Sequence, residues 1–288
     1  MSFTYTSHHD TYPAIQNQKT AHKGHAVLIT GASRGIGLAT AISFAQAGAS
    51  AIGIAARSNL NKAESEILSA AKSAGHPTPS ILKLSVDVKN ETNVTEAANQ
   101  LEKHFGRLDI LVNNAGYSES WHALIAETDP TVWWTTWEIN IKGVYLLTRA
   151  FLPLLLKDGS CKTIVNISSA GALTQIPGGT AYQTSKFTLL RFTEFLVSEY
   201  ATQGVVTYSV HPGGVWTDLA HNANLPQNMH GRLTDTSALA ADSISWLTQE
   251  PRTWLNGRYV SVTWDMPELL ERKKEIVEGD KLKMRLVL

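Results

Sequence analysis

A short apolar run, Ala26-Val-Leu-Ile-Thr30, leads directly into Gly31-Ala-Ser-Arg34-Gly35-Ile-Gly37 and then into a helix-forming stretch over residues 34–47. The run does not alternate apolar with polar residues, so it predicts a strand buried on both faces, as in a parallel sheet. Parallel strands need a crossover to return to the same edge, and the following helix, stopped at Gly48, supplies one. The same unit recurs along the chain. Strands are predicted over 51–56, 81–86, 109–113, 162–167, 205–210 and 258–262, with helices over 61–74, 94–105, 130–156, 181–200 and 236–248. Pro130 suits the first turn of its helix, and Pro153 marks a place where that helix can break. The alternation predicts an α/β fold: a single Rossmann-type doubly wound parallel sheet of about seven strands with helices on both faces.

The chain has 288 residues, 43% of them hydrophobic, enough for one large core. We divide it into an N-terminal extension (1–24), a dinucleotide-binding catalytic domain (25–262) and a C-terminal tail (263–288). The 25 basic and 25 acidic residues cancel, and no basic stripe points to nucleic acid. Cys161 is the only cysteine, so no intrachain disulfide can form and a secreted origin gains no support. No run reaches the length of a membrane span, and residues 1–24 lack the apolar core of a signal peptide. His8, His9 and Asp10 have no partners at metal-ligand spacing, so no metal is expected. These features predict a cytoplasmic protein.

Glycines at 31, 35 and 37 let the backbone turn tightly and approach a pyrophosphate, and the helix that follows offers unpaired N–H groups and its positive dipole end. Ser33 and Ile36 lie in the same turn. The spacing Gly-x-x-x-Gly-x-Gly departs from the common Gly-x-Gly-x-x-Gly, and a glycine turn serving only strand–helix packing is the plainer alternative. The second strand ends in Ala55-Ala56-Arg57-Ser58, where an NAD site often carries an acid for the ribose hydroxyl. Arg57 would attract a 2′-phosphate, with Arg34 as a second cation, although both also suit ordinary solvated positions. Asp87-Val88 can reach an adenine amino group or form a loop cap. Asn114, Ala115 and Gly116 follow the fourth strand and would let backbone pack on a cofactor.

Tyr182 and Lys186 are four residues apart on a predicted helix and share a face. An ammonium beside a phenol favours the phenolate, which makes a tyrosine usable as an acid or base. Such a pair is common on ordinary helices. Here Ser168-Ser169 ends the fifth strand at the carboxyl edge where the glycine turn also lies, and ligands bind along that edge.

Together these motifs resemble the short-chain dehydrogenase/reductase family. The matches are the Thr30–Gly37 turn, Asn113–Gly116, Asn140, Ser169, Tyr182 with Lys186, and Pro212-Gly213 with Thr217, in the family's order. In that family the serine lies thirteen residues before the tyrosine, which selects Ser169. The resemblance implies that Ser169 binds the substrate oxygen, Tyr182 is the acid/base, Lys186 also holds the nicotinamide ribose, and Asn140 holds a water relaying protons to Lys186. It implies that the loop Pro212, Gly213, Val215 and Thr217 closes over the nicotinamide and its phosphate. Two departures stand out. Thr263-Trp-Asp-Met replaces the usual Asp-Gly-Gly, and the tail is similar to those of fungal members, often tied to secondary metabolism.

The expected substrate pocket holds Tyr117, Trp121, His122, Leu173, Ile176, Pro177 and Trp216, with residues 219–233 as a lid. It suits a hydrophobic ketone or alcohol. Most other tryptophans, such as Trp133 and Trp134, are expected in the core or an interface. The leading expectation is an NADP(H)-dependent oxidoreductase forming a homodimer or homotetramer. The alternatives are an NADP-sensing binding protein or a non-redox enzyme catalysing dehydration, isomerisation or cyclisation. In the tail, a helix is expected over 268–278 with Gly279 as its stop. Residues 280–288 alternate basic with apolar, which predicts an ordered extended segment docked on the protein, at a subunit interface by preference.

The cation at the end of the second strand makes cofactor choice testable. Arg57→Asp should erode or invert a preference for NADPH over NADH, a change of a few kcal/mol at most, read by calorimetry with both nucleotides.

Overall fold

The computed structural model describes residues 2–16 and 20–286. An N-terminal arm comes first and includes one short helix, α1 (Pro13–Gln16). The body then runs β1 (Ala26–Thr30), α2 (Gly35–Gln46), β2 (Ala51–Ala56), α3 (Asn61–Ser73), β3 (Ser80–Ser85), α4 (Glu91–Phe105) and β4 (Ile110–Asn113). It continues with α5 (Pro130–Trp137), α6 (Gly143–Leu155), β5 (Thr163–Ile167), α7 (Thr180–Tyr200) and β6 (Val206–His211). Two short helices follow, α8 (Asp218–Asn222) and α9 (Gln227–His230), then α10 (Ser237–Thr248) and β7 (Arg258–Ser261). The tail carries α11 (Met266–Glu271) and α12 (Lys273–Glu278).

The seven strands form one parallel sheet in the order β3-β2-β1-β4-β5-β6-β7. The order reverses beside β1, and both neighbours of that switch point send their loops to the same carboxyl edge. β1 shows why its sequence had to be apolar throughout. Val27 and Ile29 pack with Phe44 of α2, Ile67 of α3 and Ile244 of α10, whereas Leu28 faces Leu101 of α4 and Phe151 of α6 on the other side. The expected doubly wound sheet is therefore present, with boundaries that differ by a residue or so.

The 130–156 helix differs in kind. Pro153 does not break it, and α6 runs on to Leu155. The irregularity falls earlier, where Glu138–Lys142 winds as a π-helix between α5 and α6. A π-bulge inserts one residue into the ladder and re-aims side chains, and this one contains Asn140.

The arm and the tail pack on each other. Ser7 bridges Trp264, the Tyr5 N–H donates to the Glu268 carboxylate at 2.7 Å, and the Arg272 guanidinium lies 3.7 Å from the Phe3 ring centroid. The expected tail helix is two helices, α11 and α12. Asp265 caps the first, accepting from the Glu268 N–H at 2.9 Å. The following segment docks, but it is kinked rather than extended, because Asp280 and Leu282 take φ of 43° and 63°. Those turns bring the Leu282 carbonyl to the Tyr259 N–H at 2.8 Å, along the edge of β7, and the Asp280 carboxylate to the buried Arg258 guanidinium at 3.1 Å. Leu282 and Met284 cover the core, as their spacing suggested, whereas Leu286 is 85% exposed. Val287 and Leu288 lie outside the described residues.

Deleting residues 280–288 should therefore uncover apolar surface and leave Arg258 without the Asp280 carboxylate. We expect a loss of about 2 kcal/mol, equivalent to a melting temperature lower by about 4–8 °C, measured by calorimetry.

Candidate active site

One cavity of about 940 Å³ runs along the carboxyl edge of the sheet, from Arg57 at the end of β2, past the glycine turn, to Tyr182 and Trp216. Its floor is backbone packed on backbone. Gly31 and Gly35 take φ of 67° and 58°, open to glycine at little cost. A Cβ at Gly37 would lie 2.4 Å from the Gly31 carbonyl oxygen and 2.5 Å from the Asn114 amide nitrogen. That amide donates to the Thr30 carbonyl at 2.8 Å, and Asn113 braces Asn166 of β5 at 2.9 Å. The N-cap of α2 is Arg34, which makes no side-chain cap. The first N–H groups of α2 therefore lack a side-chain acceptor and lie at residues that line the cavity, the arrangement that binds a phosphate.

Every residue expected to touch a cofactor lines this one cavity: Gly31, Ser33, Arg34, Gly35, Ile36, Gly37, Arg57, Asp87, Val88, Asn114, Ala115, Gly116, Tyr182, Lys186, Pro212, Gly213, Val215 and Thr217. Its volume, its glycine floor and the uncapped helix start fit a dinucleotide. Arg57 is exposed at the rim, and Arg34 pairs with Asp218 at 2.8 Å, both side chains being mostly exposed. Asp87 also accepts from the Lys89 N–H at 3.0 Å, so it closes its own turn.

Ser169, Tyr182 and Lys186 meet at the other end of the cavity. Ser169 hydrogen-bonds the Tyr182 phenol and accepts from the Gly171 N–H at 3.0 Å. Ser168 points elsewhere and donates to the Lys186 carbonyl at 2.9 Å. The Lys186 ammonium donates to the Ile167 carbonyl at 2.8 Å and lies 5.6 Å from the Tyr182 ring centroid. Burial pushes the Lys186 ammonium down to about 8. Burial also raises the Tyr182 phenol, against the hydrogen bond from Ser169, which lowers it, and with Glu119, whose charge raises it. The lowered phenol anticipated from the Tyr-Lys spacing is thus not what the fold produces: desolvation of the whole site outweighs the neighbouring ammonium. Asn140 does not line the cavity. Its side chain is buried and occupied, accepting from the Tyr117 N–H at 2.9 Å and donating to the Tyr117 carbonyl at 2.9 Å and to Ser185 at 3.0 Å.

Of the expected substrate-pocket residues, Tyr117, Trp121, Ile176 and Trp216 line the cavity. His122 and Pro177 are exposed away from it, and Leu173 lines a separate cavity behind it. The lid segment contributes Leu219, Leu225, Met229 and Leu233. Trp133 stacks on Trp137 with centroids 5.6 Å apart and donates to Thr180 at 3.2 Å, whereas Trp134 is 61% exposed.

The short chain dehydrogenase family profile matches residues 25–228. The chain is 56% identical to the short chain dehydrogenase citE of Monascus ruber, covering 99% of this chain and 97% of that one. It is 45% identical to andI of Emericella variicolor, over 99% and 96% of the two chains. The chain belongs to the short-chain dehydrogenase family. Its members are oxidoreductases that use a nicotinamide cofactor. Among solved structures, this short-chain dehydrogenase is similar to one from Salmonella enterica serovar Typhi, with a TM-score of 0.75 and 25% identity over 86% of this chain and 99% of that one. An NADH-dependent reductase complexed with NAD shares the fold at 20% identity and a TM-score of 0.70, over 84% of this chain and 96% of that one.

Three site residues of this dehydrogenase carried no signal in the sequence. Asp235 accepts from the Gly214 N–H at 2.6 Å and from His9 of the arm at 2.6 Å, so the arm reaches the Pro212–Thr217 loop. His211, at the end of β6, accepts from the Ala170 N–H at 3.1 Å. Glu119 accepts from the Tyr182 N–H. Each sits in a stretch that reads as an ordinary polar loop or strand end, and only the fold brings it to the site. Among the described residues, no group of three or more His, Cys, Asp and Glu side chains could hold a metal ion, and no helix is long and apolar enough to cross a membrane.

Burial lowers His211 to about 4 and His22 to about 3, both from an ordinary value of 6.5. At neutral pH both are uncharged whether the chain is folded or not, and neither affects stability. Below about 6.5 the unfolded chain takes up protons that the folded one refuses, so stability should fall as pH drops toward about 4. Denaturant melts over that range should show the loss, and His211→Asn should flatten the slope by about one proton.

Proposed function

We propose that this protein is an NADP(H)-dependent oxidoreductase that interconverts a ketone and a secondary alcohol on a hydrophobic small molecule. The catalytic unit is residues 25–262. The observation that carries the reading is the meeting of Ser169, Tyr182 and Lys186 at one end of a cavity whose other end holds Arg34 and, at the end of β2, Arg57 where an acid would select against a 2′-phosphate. When bound, the reduced nicotinamide supplies a hydride to the substrate carbonyl carbon. Tyr182 donates its proton to the carbonyl oxygen, and Ser169 donates a hydrogen bond that holds that oxygen in place. A phenol raised by burial is protonated at neutral pH, which suits reduction. Lys186 is the cation beside the phenolate that remains and a donor to the nicotinamide ribose. Asn140 holds Tyr117 and Ser185, the residue before Lys186, and would hold a water that relays protons to the ammonium.

Cofactor choice rests on charge. An exposed Arg34–Asp218 pair is worth about 1 kcal/mol or less, so a 2′-phosphate can draw Arg34 away and share it with Arg57. Asp87 and Val88 would border the adenine, and Pro212, Gly213, Val215 and Thr217 would close over the nicotinamide. The pocket walls of Tyr117, Trp121, Ile176, Trp216 and Met229 favour an aromatic or aliphatic substrate. Its likeness to fungal dehydrogenases supports a role in secondary metabolism. Exposed apolar side chains on three helices, Trp134, Tyr145, Phe187 and Phe195, support assembly into a homodimer or homotetramer.

A ketone panel with NADPH tests the activity, and a sensor or a non-redox enzyme would leave NADPH unconsumed. Tyr182→Phe keeps the ring and removes the donor, so NADPH should still bind while turnover falls about a hundredfold or more. Lys186→Ala should weaken both. Near-normal turnover by Tyr182→Phe would reject the assignment of the acid.

A further inference from the structure

The first turn of α7 carries Tyr182, and its N-cap residue, Gly179, offers no side-chain acceptor. Packing forces that glycine. A Cβ at Gly179 would lie 2.5 Å from the Trp121 indole, and one at Gly178 would lie 2.3 Å from the Trp121 carbonyl oxygen. The N–H of Tyr182, which a capping side chain would normally satisfy, goes instead to the Glu119 carboxylate, whose two oxygens each lie 3.0 Å away. Glu119 comes from the strap after Asn114–Gly116 and is 4% exposed. The Thr136 hydroxyl of α5 also donates to it, at 3.3 Å.

Both partners are neutral, and burying a carboxylate with only neutral donors is costly. Capping alone would not require the charge. A glutamine of the same shape could accept from the Tyr182 N–H just as well. What the anion adds is its effect on the phenol of the residue it grips. A negative charge nearby disfavours the phenolate.

We propose that Glu119 is a positioning residue for Tyr182, anchoring the turn that carries the ring and, as a buried anion, keeping the proton on the phenol until a substrate oxygen takes it. The proposal rests on Tyr182 being the proton donor. The proton passes from the Tyr182 hydroxyl to the substrate oxygen and leaves a phenolate, whose charge Lys186 then balances. Other titratable groups surround the phenol. Lys186 shares its helix, and Tyr117 lies on the strap. His211 ends β6 and is held neutral by burial, while Asp218 and Asp235 line the same cavity. Glu119 is the acid whose charge raises the Tyr182 phenol.

The test is an ultraviolet tyrosinate titration, taking each protein minus its own Tyr182→Phe counterpart to isolate one tyrosine of the 8 in the chain. Glu119→Gln should lower the Tyr182 midpoint by about one pH unit. Glu119→Asp, which keeps the charge, should stay nearer the original protein. The alkaline limb of NADPH-dependent ketone reduction should move with the titration. A Glu119→Gln midpoint that is unchanged or raised would overturn the proposal, as would equal shifts in the Gln and Asp variants, which would make length rather than charge the cause. A Glu119→Gln protein that failed to fold would also overturn it, by showing that the charge serves the fold. The titration needs no substrate. If the midpoint moved as stated and no ketone consumed NADPH, the placement of Glu119 would stand and the reductase reading would fall.

Discussion

At the carboxyl end of β1 the main chain touches two other segments at once, and the site is built outward from that contact. Gly37 has no room for a Cβ against Gly31 and Asn114. The Thr30 hydroxyl accepts from the N–H groups of both Asn114 and Ala115 at 3.0 Å. This knot of backbone fixes where α2 begins, and so where an anion can be bound. It also fixes the direction in which the chain leaves β4. A side chain at Gly37 would push these segments apart and remove the floor of the cavity.

From β4 the chain passes through a series of clasps to the chemistry. Asn140 holds Tyr117 by both its N–H and its carbonyl. The π-turn that contains Asn140 carries that side chain to Tyr117, whereas a regular helix would rotate it along the ladder. Trp121 then lies on Gly178 and Gly179, donates its ring N–H to Ser118 at 2.9 Å, and hydrogen-bonds the Ala223 carbonyl through its backbone at 2.9 Å. The strap therefore ties the turn bearing Tyr182 to the segment over the cavity mouth. On the far side Asp235 holds Gly214 and is itself held by His9, so the N-terminal arm is part of the same scaffold. Loops brace the helix turn that carries Tyr182, and the sheet gives both a rigid base.

Desolvation sets the charge state of the site. It raises the Tyr182 phenol, brings the Lys186 ammonium down to about 8, and holds His211 neutral at about 4. Burial is the largest influence on the Tyr182 phenol, and the Glu119 charge acts in the same direction. Burial likewise raises the half-buried Cys161 thiol to about 11, which disfavours the thiolate at neutral pH.

The sequence by itself determined the sheet: unbroken apolar runs such as β1 are buried on both faces, and the first three strands are each followed by a helix that stops at a glycine, Gly48, Gly75 or Gly106. It also determined the glycine turn and the pairing of Tyr182 with Lys186, since both depend on residues a few positions apart. The choice between Ser168 and Ser169 needed a family resemblance, and the fold then separated them by direction, one toward the Lys186 carbonyl and one toward the Tyr182 phenol. Only the tertiary structure decided the rest. Glu119, His211 and Asp235 reach the site across long stretches of chain, and no local pattern encodes a hydrogen bond between residues so far apart. The tail shows the same limit. Its alternation was legible in Leu282 and Met284, but the left-handed turns at Asp280 and Leu282 follow from where Arg258 and Tyr259 present their donors. Periodicity reports which side chains seek burial. The direction of the chain between them is set by the partners that the fold supplies.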